Sequence, residues 1–250
     1  MKKQLLLTVS SNRVVAPGWH HMVLEGTDLP PVTPGQFVEV AAPHGATLLN
    51  RPISIFDATA TTLELVIAPV GDGTKAICDA KVGDSLRVIM PLGKGFTTEF
   101  PVGSKVLLVG GGVGIAPLYM QLCTLIDAGV KAEVLFGLRS RPDAEFCKQY
   151  EALAPIHICT DDGSFGHHGL VTSHPAFGQH YDMIQMCGPK PMMRAVAASA
   201  AERGIPAEAS LENMMACGLG ACLCCVEPTE KGNLCVCKDG PVFNTSLLTW

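Results

Sequence analysis

A cluster of cysteines near the end of the chain limits its fold more than any other feature. The stretch from Met214 to Val242 reads MMACGLGACLCCVEPTEKGNLCVCKDGPV, and six of the eleven cysteines fall between Cys217 and Cys237. Cys217, Cys222, Cys225 and Cys237 are spaced C-x4-C-x2-C-x11-C. The first three have the plant-type spacing of thiolate ligands to a [2Fe-2S] cluster, in which a loop wraps the cluster and a distant fourth cysteine closes it. Gly218 and Gly220 lie between the first two, where the backbone must bend sharply and aim amides at sulfur. These four cysteines are therefore the candidate iron ligands. Other uses of the thiols fit less well. A disulfide knot needs an oxidising compartment. Structural zinc favours paired C-x2-C knuckles, and only Cys222/Cys225 has that spacing. Cys235 competes with Cys237 for the fourth position, and the C-x2-C step skips Cys224.

The other five cysteines (Cys78, Cys123, Cys147, Cys159 and Cys187) are scattered, as expected of reduced thiols in a cytoplasm. Lys2 and Lys3 precede a leucine run, but it is short and no small-residue cleavage site follows, so it reads as a first strand. Apolar stretches fall short of the ~20 residues of a membrane span. A net charge of -5 with no basic stripe argues against nucleic acid. Charged residues make up 16% of the 250, fewer than in most soluble domains, which suggests that a partner covers part of the surface.

Residues 1–99 read as short strands, at 3–9, 19–25, 36–40, 53–58, 62–70 and 85–90, punctuated by Pro, Gly, Asp and Asn, with one short helix at 74–80. That pattern predicts a small antiparallel barrel. From residue 100 to 208 the pattern changes to strands at 105–109, 132–138, 156–160 and 181–187, alternating with helices at 116–128, 145–154 and 191–203. Such alternation predicts a parallel sheet. Residues 209–250 form the cysteine domain.

Gly110, Gly111, Gly112 and Gly114 separate an apolar strand from a helix. A glycine loop there lets a phosphate approach free amides, although the G-x-G-x-x-G pattern is incomplete. Cys187-Gly188-Pro189 follows another apolar run, at the same predicted sheet edge. Ligands of open α/β sheets bind at that edge, so the two loops predict a dinucleotide crevice. Asp161 and Asp162 would repel a 2′-phosphate, while Arg139 and Arg141 would attract one; the balance favours NAD. In the barrel, Arg51-Pro52-Ile53-Ser54 pairs a cation with a hydroxyl, which suits a pyrophosphate or a flavin edge, and Gly73-Thr74 opens the one barrel helix.

Taken jointly, RPIS at 51–54, GGGVGIAP at 110–117 and CGPKPMM at 187–193 resemble the ferredoxin-reductase superfamily of flavoproteins. With LLNRPISI, GDGTKAI, PLGKGF, TDDGSFGHHGLVT, MACGLGACLCC and CKDGPVF, most of the chain is similar to the electron-transfer subunits of type B, NAD-linked, dihydroorotate dehydrogenases. The resemblance implies a FAD-binding barrel, an NAD-binding domain and a [2Fe-2S] domain. It places FAD contacts at Arg51, Pro52, Ile53, Ser54, Val66, Ile67, Ala68, Gly73 and Thr74. The nicotinamide nucleotide falls to Gly111, Gly112, Gly114, Cys187 and Gly188, and Cys237 takes the fourth ligand position. It also implies an FMN-containing dihydroorotate dehydrogenase catalytic subunit as partner, in a heterotetramer of two such pairs, acting in pyrimidine biosynthesis. No general acid or base is expected on this chain. The rival expectation is a diaphorase subunit of a hydrogenase or a NADH–ferredoxin oxidoreductase.

Overall fold

The computed structural model describes residues 1–250, the side chain of His44 excepted. Six strands build the first unit: β1 (Lys3–Ala16), β2 (Trp19–Glu25), β3 (Phe37–Val40), β4 (Arg51–Ala58), β5 (Thr62–Ile67) and β6 (Ser85–Leu92), with the helix α1 (Asp72–Cys78) between β5 and β6. They close into an antiparallel barrel in the order β1-β2-β5-β4-β3-β6. Alternation drives the closure: Leu7, Val9, Met22, Leu24, Val38, Val40, Leu63, Leu65, Leu86 and Val88 all turn into one apolar core. Burying each such side chain contributes on the order of 1.5–3 kcal/mol.

β1 runs seven residues beyond the expected 3–9. Its polar half, from Ser10 to Ala16, pairs with β2 in register, Arg13 against His21 and Val14 against His20, so the ladder carries the strand past the end of its apolar pattern. Register shifts at Val9/Ser11 and Val14/Ala16 bend the long strand.

The second unit contains β7 (Lys105–Gly111), α2 (Leu118–Asp127), β8 (Lys131–Leu138), α3 (Lys148–Glu151), β9 (Ile156–Thr160), β10 (His167–His168), β11 (Met183–Cys187), α4 (Lys190–Glu202) and β12 (Ala207–Ser210). The parallel core of the sheet runs β9-β8-β7-β11-β12. β7 is thus flanked by β8 and β11, and the strand order reverses there. Its run Val106–Val109 is wholly buried, as a strand covered on both faces requires. The helix expected at 145–154 is a 3-10 segment, Arg141–Cys147, followed by the one-turn α3. Pro155 disfavours helical backbone just before it. The buried Tyr150 fixes the segment by donating its hydroxyl to Ile115 O at 2.8 Å.

The third unit has β13 (Val226–Thr229), β14 (Gly232–Cys235), α5 (Val236–Asp239) and β15 (Val242–Asn244). β13 and β14 form a hairpin. β15 joins the large sheet antiparallel to β12, with Ser210 opposite Val242 and Ala209 opposite Phe243. The cysteine segment is therefore bound at both ends to the nucleotide sheet.

Candidate functional site

Two cavities and one loop meet where these units join. The larger cavity, about 660 Å³, opens at the carboxyl edge of the sheet and is lined by Gly111, Gly112, Gly114 and Gly188, as well as Trp19 and Met192. The loops after β7 and β11 touch there. A Cβ on Gly114 would come within 2.8 Å of Cys187 O, and one on Gly188 within 2.9 Å of the Gly111 Cα. Glycine is required because two backbones share that space. Cys187 itself is fully buried and lines neither cavity; burial holds its thiol far above the ordinary range.

Charge in this cavity is mixed. Arg139, Asp143 and Asp161 line it. Arg141 does not: its Nε donates to Ser164 O at 3.2 Å, and its guanidinium lies 4.9 Å from the Phe165 ring centroid.

The second cavity, about 380 Å³, is lined by Pro52, Ile53, Ser54, Val66, Ile67, Ala68 and Thr74, which brings together most of the flavin contacts expected from sequence. Arg51 and Gly73 pack against each other, so closely that a Cβ on Gly73 would clash with the guanidinium. Phe37, Asn213, Met215 and Pro241 complete walls that the sequence did not single out. A slot with apolar faces and a few polar groups fits a flat aromatic ring system.

Ala68, Val70, Val113 and Glu212 line both cavities, so the two adjoin along a shared wall. Glu212 is its one ionisable member. Its side chain is exposed to the open cavities, yet the surrounding groups crowd it enough for desolvation to raise the carboxyl above its ordinary range.

The cysteine loop lies beyond the second cavity. The thiols of Cys217 and Cys222 are near neighbours, as are those of Cys225 and Cys237. Backbone amides are aimed at the sulfurs: Leu219 N donates to Cys217 Sγ at 3.3 Å, Gly220 N to Cys237 Sγ at 3.1 Å, and Cys237 N to Cys225 Sγ at 3.3 Å. Gly218 and Gly220 have positive φ, and Leu223 adopts φ 58°, which for a residue with a Cβ costs on the order of 1–2 kcal/mol. Burial raises the Cys217 thiol, but the amides of Leu219, Cys222 and Ala221 outweigh it and bring it down to about 6. Burial, then the neighbouring Cys225, pushes Cys237 up to about 12. Thiolates gathered this closely repel one another unless iron neutralises them. Among the described residues no three His, Cys, Asp or Glu side chains gather as ligands of a single ion. The spacing of the four thiols and the amides aimed at them fit the donor set of a [2Fe-2S] centre. Cys237 enters this sulfur network, whereas the amide of Cys235 donates to Asp239 at 2.9 Å. Cys224 is exposed.

Glu39 is a residue the sequence reading missed. It lies on β3 at 1% exposure, with neither carboxylate oxygen partnered among the described residues. Burial, then the Cys217 charge, raises its carboxyl to about 7 against the opposing pull of Arg51. The signal was a single Glu inside the apolar run FVEV.

Residues 212–249 match the iron–sulfur cluster binding domain of dihydroorotate dehydrogenase B. Over 247 residues, 96% of each chain, the sequence is 39% identical to the dihydroorotate dehydrogenase B (NAD(+)) electron transfer subunit of Listeria innocua serovar 6a. Identity to the subunit of the same name in Bacillus caldolyticus is 38% over 246 residues, 95% of each chain. The chain belongs to this family of electron transfer subunits. Among solved structures, an NADH-dependent reduced ferredoxin–NADP oxidoreductase, described for flavin-based electron bifurcation, superposes with a TM-score of 0.86 at 26% identity. The match covers 98% of this chain and 90% of that one. The fold expected from sequence is thus met: a barrel, a parallel-sheet domain and a C-terminal iron–sulfur domain of the ferredoxin-reductase kind. Its cofactors are FAD, a [2Fe-2S] cluster and NAD. No helix among the described residues is long and apolar enough to cross a membrane.

Proposed function

We propose that this subunit carries electrons from the FMN of a dihydroorotate-oxidising partner through the [2Fe-2S] centre and FAD to NAD, in pyrimidine biosynthesis. The observation that carries the reading is the contiguity of the three sites: the two cavities share Ala68, Val70, Val113 and Glu212, and Met215 of the second cavity stands two residues from Cys217. When bound, a flavin in this position exchanges hydride with the nicotinamide and single electrons with the cluster, which converts two-electron into one-electron chemistry.

The chain's own residues bind, orient and insulate. Residues 1–99 hold FAD, 100–208 NAD and 209–250 the cluster. Arg51 and Gly73 receive the flavin's phosphates, and Pro52, Ile53, Ser54, Val66, Ile67, Ala68 and Thr74 hold the rest of FAD. Gly111, Gly112, Gly114 and Gly188 admit the nicotinamide nucleotide, with Cys187 packed behind that loop. Cys217, Cys222, Cys225 and Cys237 would hold the cluster. Asp143 and Asp161 in the nucleotide cavity, and the engagement of Arg141 with Ser164 and Phe165, favour NAD over NADP. The partner pairs with this chain in a 2+2 heterotetramer in the cytoplasm; the five scattered cysteines Cys78, Cys123, Cys147, Cys159 and Cys187 support that compartment.

Anaerobic reconstitution tests the reading. The isolated subunit should reduce an artificial dye with NADH yet form no orotate; adding the FMN subunit should give NAD-dependent orotate formation. Orotate production by this chain alone would contradict it. Cys217→Ser should lose the cluster and FMN-to-NAD transfer while retaining FAD and NADH–dye activity, and a full iron load in that variant would refute the ligand assignment.

A further inference from the structure

β3 separates two environments. Val38 and Val40 enter the barrel core, while Phe37 and Glu39 face the opposite way, as strand alternation requires. Phe37 lines the flavin cavity, and so does Pro52, the residue directly opposite Glu39 on β4. On its other side Glu39 meets the cysteine loop. A Cβ on Gly218 would lie 2.8 Å from Glu39 Cγ and 3.1 Å from its Oε1, and Gly218 directly follows Cys217. Glu39 thus stands between the flavin cavity and the cluster loop.

Its chemistry is unusual for such a place. At 1% exposure, both carboxylate oxygens lack a partner among the described residues. The nearby cation, Arg51, donates instead to the carbonyls of Leu49 and Asn50, each at 3.0 Å, and packs on Gly73. Leaving a polar group buried and unpaired costs on the order of 1–3 kcal/mol or more. An apolar side chain of similar size would incur no such cost. What a buried carboxylate supplies that a leucine would not is negative potential on the adjoining loop.

We propose that Glu39 is a positioning residue for electrons: its carboxylate sets the reduction potential of the iron–sulfur centre relative to the flavin. The proposal rests on Cys217, Cys222, Cys225 and Cys237 being the cluster ligands. Reduction adds one electron to the centre, and a negative charge in the poorly polarisable space beside it opposes that addition. Removing the charge makes the centre easier to reduce and retards its delivery of electrons to the flavin.

The test is an anaerobic dithionite titration of the holoprotein at alkaline pH, followed by the EPR signal of the reduced centre, in wild type, Glu39→Gln and Glu39→Asp. Iron, sulfide and FAD content are measured alongside. Glu39→Gln, nearly isosteric, should keep all three and raise the midpoint potential, favouring the reduced centre about tenfold, which is about 59 mV for one electron. Glu39→Asp, which keeps the charge, should stay near wild type. An unchanged or lowered potential in Glu39→Gln overturns the proposal, as does loss of iron in both variants, which would make Glu39 a structural support. Failure of the ligand assignment is distinguishable, because Cys217→Ser would then keep its full iron load and its EPR signal.

Discussion

In the barrel, Leu63 and Leu65 on β5 and Val38 and Val40 on β3 are wholly removed from water. In the cysteine loop, Met214, Leu219 and Leu223 are 84%, 46% and 64% exposed. The barrel strands are paired along their length, whereas residues 211–225 contain no helix or strand, and the loop bends through the positive φ values of Gly218, Gly220 and Leu223. One region is held by burial and ladder hydrogen bonds, and the other by backbone amides aimed at its sulfurs. The loop accepts backbone strain to present its sulfurs, while the barrel reaches its shape by apolar packing and strand pairing without such strain.

Substitutions that act on one region and spare the other separate these two kinds of order. The largest effect belongs to the barrel. Leu65→Ala removes a wholly buried side chain and should destabilise the protein by about 2–5 kcal/mol. Denaturant unfolding should show the same loss with and without iron. A loss seen only in the iron-free protein would mean that the cluster and barrel do not stabilise independently.

A smaller effect tests the nucleotide sheet, at a residue that lines neither cavity. Glu133 on β8 meets Lys105 Nζ at 2.8 Å, His157 Nε2 at 3.0 Å and the Tyr181 hydroxyl at 3.1 Å. Burial raises its carboxyl, but the hydrogen bonds from Lys105, His157 and Tyr181 outweigh it and hold it below the ordinary 4.5. A depressed carboxylate contributes stability above its unfolded pKa and loses it as the pH falls through its folded one. Glu133→Gln should therefore cost about 1–2 kcal/mol at neutral pH, and the difference from wild type should vanish in thermal melts below the ordinary carboxylate range. An equal cost at neutral and acid pH would show that the charge of Glu133 contributes nothing.

The smallest effect has the opposite sign. Leu223 holds a left-handed backbone at φ 58° and buries little. Leu223→Gly should stabilise the iron-free subunit by up to about 1 kcal/mol by relieving that strain. A destabilisation would mean that the Leu223 side chain helps to hold the loop in the isolated chain.

Much of this was legible in the sequence, for reasons that differ from place to place. The cysteine spacing and the glycine loop are local demands, of sulfur reach and of backbone clearance, so a short string of residues states them. Barrel alternation is equally local, and five of the six expected strands keep their bounds to within about three residues, whereas β1 outruns its apolar pattern because β2 pairs with its polar half. The docking of β15 on β12 was not legible, since three residues pair with a strand some thirty positions earlier and only the folded sheet edge selects them. Glu212 and Glu39 were invisible for a related reason. Each owes its importance to segments remote in sequence, the shared cavity wall in one case and Gly218 against β3 in the other.

Whether four cysteines hold a diiron centre beside a flavin is decided by iron and acid-labile sulfide content together with EPR of anaerobically purified, dithionite-reduced protein. About two irons and two sulfides per chain are expected, with the paramagnetic signal of a reduced [2Fe-2S] centre. Zinc in place of iron, or iron without sulfide and without that signal, would contradict that expectation.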